Sequence, residues 1–425
     1  MEKIFYDKAG ETLYRYEHSS GLKAFVIPKK GYSKKYATFA THYGSIDSEF
    51  VIPGETEPTR VPDGIAHFLE HKLFEQKDGS VMDKFSKLGS NPNAYTSFNQ
   101  TVYLFSCTDR FEENFDLLLN YVQNPYITEE SVEKEKGIIG QEIMMYQDDP
   151  GWRAFFNLLG ALYSKAPIRI DIAGTIESIS KIDRDTLYKC YNTFYHPSNM
   201  VILVVGDVDA EKVFEQVEAA IVKTETRPEI KRIMPSEPNN INKDYTEQSL
   251  AVSMPIFQIG IRDDHMGKSG LELLKYEVAV KILLNMLAGR SSDFYEQLYG
   301  EGLINSSFSS DFSIEGDYAF SILGGESPEP LKVRDRFLKM LEEKKRMGID
   351  REAFERLRRA LLGRYMRQFN SVERISHSFI SVYFRGVNMF DYLDVYDKIS
   401  FEYVKEAFAT HFNQDNLALS VIKPA

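Results

Sequence analysis

The sequence predicts an α+β fold of two homologous α/β-sandwich domains, each a largely antiparallel sheet packed with helices. Three observations lead there. Strand-like and helical stretches follow one another without strict alternation, which disfavours a doubly wound parallel sheet. A helix-then-strand pattern over 181–203 returns over 398–420, without a gap, at an offset of 217 residues. A polar stretch at 224–243 holds Pro228, Pro235 and Pro238 and reads as a linker. The expected division is a first domain over 1–223, a linker over 224–243 and a second domain over 244–425.

In chain order, "LKAFVIPKK" (22–30) and "YATFATHYGSID" (36–47) carry β-branched and aromatic residues, end in turn formers and read as strands. Asp63 is the expected N-cap of a helix on which Ile65, Phe68, Leu69 and Leu73 recur at helical spacing. A short helix is expected over 80–88, and two strands over 93–106 around Asn99-Gln100. Helices follow over 111–122, 128–147, 152–163 and 182–195. "MVILVVGDV" (200–208) is an apolar run ended by Gly206 and Asp207, as in a buried strand. Beyond the linker the plan repeats: strands near 247–261, helices to about 300, strands near 304–324, then helices. The two repeat copies share Lys181/Lys398, Ile182/Ile399, Thr193/Thr410 and Asn199/Asn416.

Composition narrows the function. Of 425 residues, 43% are apolar and 27% charged, which is ordinary globular usage. The net charge of −12 argues against a nucleic-acid binder, which needs a basic face. No window approaches the ~18 consecutive apolar residues of a membrane span. Two cysteines, Cys107 and Cys190, are too few for a disulfide framework and suit a reducing compartment. The charged start "MEKIFYDKAGETLYRYEH" has no signal-like apolar core, so the expected location is the cytoplasm.

The chemistry concentrates in "GIAHFLEHKLFE" (64–75). On a helix, positions i and i+4 share a face, so His67 and His71 can offer two imidazole nitrogens to one ion. Glu70 borders the same face. Chance yields an i,i+4 histidine pair at this histidine content in roughly one chain in seven; requiring the glutamate lowers that to roughly one in a hundred. Neutral imidazoles suit zinc, and a catalytic zinc takes three protein ligands and keeps a position for water. A carboxylate beside that water can take its proton and return it to a leaving amine.

A third ligand is needed. In "VEKEKGIIGQEIMMYQ" (132–147), Glu135 and Glu142 stand two helical turns apart on one face, flanking Ile138 and Ile139. A buried carboxylate there needs a cation or a donor. Spacing leaves open which glutamate would be the ligand and which would orient one. His18, His42, His196, His265, His377 and His411 have no partner at ligand spacing and read as structural or surface residues. "HMGKSG" (265–270) lacks the first glycine of a phosphate loop, since Arg262 stands there. Trp152 reads as a packing residue.

At these residues the chain resembles the pitrilysin/insulysin family, whose His-x-x-Glu-His signature defines the inverzincins. It is most similar to half-length members related to mitochondrial processing peptidase. The matching pieces run in family order: "DGIAHFLEHKLFE" (63–75), "LGSNPNAYTSFNQTVYLFS" (88–106), "EKEKGIIGQEIMMYQDDP" (133–150), "IAGTIESISKI" (172–182) and "HPSNMVILVVGDVD" (196–209). The resemblance implies one zinc per chain, held by His67, His71 and Glu142. It makes Glu70 the general base and Glu135 the supporting catalytic carboxylate. Asn93 and Ala94 match an edge strand on which the family docks extended peptides. The first domain would then bind the metal, and the second would lack metal ligands.

One departure bears on partners. The family carries an arginine and a tyrosine in its second domain that contact substrate. Here, in "QLYGEGLINSSF" (297–308), Tyr299 and Asn305 stand at those positions. Arg364 and Tyr365 are adjacent on a helix and fit poorly as replacements. A positioned cationic donor removes a few kcal/mol of barrier. The expectation is a zinc endopeptidase acting on peptides or unfolded segments in a closed chamber, as the zinc-bearing subunit of a heterodimer whose homologous inactive subunit supplies the pair. A homodimer is the lesser expectation. The alternative is a non-catalytic scaffold subunit of the same family, against which the intact His67, Glu70, His71 and Glu142 set argues.

Overall fold

The computed structural model describes residues 1–264 and 267–425. The readings of His265 and of the start of "HMGKSG" lie outside the described residues. The fold is α+β with largely antiparallel sheets. Met200–Gly206 is buried at every position. It runs mid-sheet with both faces covered, which explains an apolar run without alternation. The sheet has seven strands, in spatial order Glu2–Tyr6, Glu11–Glu17, Lys23–Pro28, Met200–Gly206, Lys35–Thr41, Thr101–Cys107 and Asn91–Thr96. Met200–Gly206 pairs parallel with Lys23–Pro28; the other pairings are antiparallel.

A second sheet repeats this core in the order Tyr245–Leu250, Leu417–Pro424, Ile256–Arg262, Ala319–Glu326 and Ser309–Ile314. Again the last strand in sequence pairs parallel with one neighbour, Tyr245–Leu250, and antiparallel with the other. The repeat extends to hydrogen bonds. Helices Arg184–Phe194 and Phe401–His411 are related by the same offset of 217. Their N-caps are too: Asp183 accepts from Thr186 N, and Ser400 from Tyr403 N.

The chain forms two compact units. One is Met1–Ile143, Asp171–Met234 and Gln368–Ser381; the other is Met144–Ile170, Pro235–Arg367 and Val382–Ala425. Each therefore takes in a segment distant in sequence. In the second, helix Pro150–Leu162 packs on Ile256–Arg262. Gly260 permits that approach, since a Cβ would come within 2.8 Å of Leu158 Cδ2. In the first, Phe379 packs its ring 5.0 Å from Phe25. The stretch 224–243 is tethered in both units: Lys231–Arg232 pairs with Glu49–Val51, and Glu237 accepts from the backbone N–H of Lys165 and Ala166.

The N-terminal segment adds strands Glu2–Tyr6, at the sheet edge, and Glu11–Glu17 beside it. One local reading is corrected. The N-cap of helix Ile65–Leu73 is Gly64, not Asp63. Gly64 sits at φ +90°, and a Cβ there would overlap the carbonyl oxygen of Ala173. Asp63 instead accepts from Arg60 at 3.0 Å, while its carbonyl accepts from Ser178 Oγ at 2.7 Å.

Candidate metal centre

The motif helix Ile65–Leu73 buries every residue except His71, which is half-buried. Its apolar residues fix it against the sheet, so its polar face is held rigidly. His67 and His71 lie one turn apart with ring centroids 4.6 Å apart. Helix Glu129–Asp148 brings Glu142 opposite them: Oε1 is 3.7 Å from His67 Nε2, and Oε2 is 3.5 Å from His71 Nε2. These are longer than good hydrogen bonds. One donor atom from each of His67, His71 and Glu142 lies within 4.8 Å of the others, the spacing of ligands around a shared ion.

Glu135, two turns earlier, takes the other nitrogen. His71 Nδ1 donates to Glu135 Oε1 at 3.1 Å, which leaves Nε2 to face Glu142. Glu70 is buried, and Thr96 Oγ1 donates to its Oε2 at 2.5 Å. Asn93 and Ala94 lie on the sheet-edge strand Asn91–Thr96, opposite Leu104 and Tyr103. That strand packs against the motif helix. Thr96, at the strand's end, therefore ties the edge to Glu70.

Electrostatics separate the four side chains. Burial holds His67 neutral, its pKa lowered to about 3, with His71 adding repulsion. Burial also raises Glu70 to about 7, against the pull of the Thr96 hydrogen bond and His71. On His71, burial opposes the charge, but the Glu135 hydrogen bond and neighbouring carboxylates outweigh it and raise the pKa. Glu135 is lowered, because His71 and Lys72 outweigh its burial.

Sequence reasoning passed over two residues here. Thr96 lies inside the quoted strand and gives no signal of its own. Lys72, fully buried on an apolar helix, is the anomaly that could have been noticed.

The departure positions lie in the second unit. Tyr299 is exposed and stacks on Tyr295 at 5.7 Å. Asn305 donates to Glu326 at 2.6 Å and accepts from Ser307 N at 2.8 Å. Tyr365 donates its hydroxyl to Met389 O at 2.6 Å. No helix among the described residues is long and apolar enough to cross a membrane.

Two family profiles match: one described as Insulinase (Peptidase family M16) over residues 54–176, the other as Peptidase M16 inactive domain over 181–361. The chain is 44% identical to the uncharacterized zinc protease YmfH of Bacillus subtilis, over 100% of this chain and 99% of YmfH. An M16-like peptidase from Alicyclobacillus acidocaldarius has a crystal structure that matches with a TM-score of 0.94 at 35% identity. That match covers 98% of this chain and 99% of the other. A mitochondrial-processing peptidase subunit beta of Arabidopsis thaliana is 29% identical over 170 residues, 39% of this chain and 32% of that protein. Near-complete coverage at this identity, with both profiles in chain order, establishes that the chain belongs to peptidase family M16.

Proposed function

We propose that the chain is a zinc-dependent endopeptidase that hydrolyses peptides or unfolded segments. The observation that carries this reading is the convergence of His67 Nε2, His71 Nε2 and the Glu142 carboxylate beside a buried Glu70. Two imidazoles and one carboxylate fit zinc and leave a fourth position open. Bound there, zinc would polarise the scissile carbonyl and bring the pKa of water down to roughly 7.

The remaining work falls to side chains. Glu70, with its pKa near 7, accepts a proton from the attacking water and returns it to the leaving amine. Thr96 occupies Oε2 and leaves Oε1 for that transfer. Glu135 orients His71. A substrate added as a further strand on Asn91–Thr96 would run past Asn93 and Ala94 toward Glu70.

The partner reading rests on Tyr299 and Asn305, and on the relative named as a subunit of mitochondrial processing peptidase. A homologous subunit lacking zinc ligands would supply the arginine and tyrosine and complete a closed chamber. Buried, unpaired Cys107 and Cys190 suit the cytoplasm. The scaffold alternative draws on the words "inactive domain" for 181–361; the four motif residues lie outside that span, which favours the enzyme.

A quenched fluorogenic peptide library, assayed with the chain alone and with its partner, tests this reading. Glu70→Gln should lower activity 100-fold or more with zinc retained at near one per chain. Activity that survives Glu70→Gln refutes the assignment, and full activity of the chain alone refutes the heterodimer.

A further inference from the structure

The motif helix also buries an ammonium. Lys72, directly after His71, is 0% exposed. A charge out of water is costly unless paired and hydrogen-bonded. Lys72 Nζ pairs with Glu75, donates to Ser131 O at 3.2 Å and lies 3.6 Å from Glu135 Oε2. Glu135 Oε1 meanwhile accepts from His71 Nδ1 at 3.1 Å. One carboxylate thus bridges an imidazole and an ammonium, one oxygen to each.

Held at one oxygen only, a glutamate carboxylate rotates readily about its last torsion, which has a broad profile. Held at both, its plane is fixed. Ser131 and Glu135 are one turn apart on the same helix, so the ammonium grips that helix from two consecutive turns.

We infer that Lys72 is a positioning residue of the metal centre: it holds Glu135 with Oε1 toward His71 Nδ1, and so presents His71 Nε2 to the metal. The inference rests on the zinc reading above. Methionine at 72 would fill the same slot but leave Glu135 Oε2 without its cation.

The test is a double-mutant cycle in zinc affinity, measured on the full chain by competition with a chromogenic chelator. Lys72→Met and Glu135→Gln should each weaken binding about 10-fold or more. The double variant should bind no more weakly than Glu135→Gln alone, because Lys72 acts through Glu135. Additive losses, or Lys72→Met within twofold of wild type, overturn the inference. A wild-type chain that binds no zinc defeats the zinc reading itself, and the inference falls with it. Should Lys72→Met not fold, the wild-type Lys72 ammonium resonance gives the answer by NMR. It should move on zinc addition and stay still in Glu135→Gln; a wild-type resonance unmoved by zinc overturns the inference.

Discussion

Replacing Gly64 by alanine should damage the candidate metal centre without altering any residue that lines it. Gly64 caps the motif helix at φ +90°. A Cβ there would lie 2.8 Å from the carbonyl carbon of Ala173 and 3.1 Å from Gly174 Cα, and would overlap the Ala173 oxygen. That segment has little room to retreat. Gly174 is itself at φ +76°, and a Cβ on it would sit 2.5 Å from Asp63 O. Alanine at positive φ costs about 1–3 kcal/mol, and overpacking a tight contact adds about 1–3 kcal/mol. A total near 4 kcal/mol corresponds to roughly 8–16 °C in Tm for a unit of this size. His67, Glu70 and His71 lie within two turns of Gly64, so a displaced helix start also weakens zinc binding. Calorimetry of the zinc-protected transition and chelator competition read the two effects. A Gly64→Ala chain that melts within about 1 °C of wild type and keeps its zinc affinity would refute this reasoning.

Other outcomes follow from the same structure. Ala94→Pro removes an edge-strand N–H that donates to Asn93 Oδ1 at 2.9 Å and that a docked peptide would recruit, so KM for peptides should rise while zinc content stays unchanged; an unaltered KM would count against docking on Asn91–Thr96. Glu277 is buried in the second unit, where burial is outweighed by Lys281, Arg385 and the Tyr392 hydroxyl, and its pKa falls from 4.5 to about 2. A depressed carboxylate stabilises fully above about pH 4.5 and loses that contribution as pH drops through 2, about 3 kcal/mol in all. The urea midpoint gap between wild type and Glu277→Gln should therefore narrow across that window; a constant gap would show that the carboxylate charge is not what stabilises.

Much of the fold was legible because its signals are local. The apolar spacing of Ile65, Phe68, Leu69 and Leu73 marked the motif helix, and the offset of 217 recurs in helix ends and caps alike. What was not legible depends on distant contacts. Gly64, rather than Asp63, starts the motif helix because of where Ala173 lies. Glu135 and Glu142 are equivalent in spacing; the structure distinguishes them by the imidazole nitrogen each one faces. The exchange of helical segments between units leaves no mark in composition, since an amphipathic helix does not announce which sheet it will cover.

Anomalous X-ray diffraction at the zinc edge, on crystals of the zinc-loaded chain, tests the central claim most directly. The account predicts one strong peak per chain, bounded by His67 Nε2, His71 Nε2 and the Glu142 carboxylate. A zinc-loaded crystal with no peak there, or with its peak elsewhere on the chain, would contradict it.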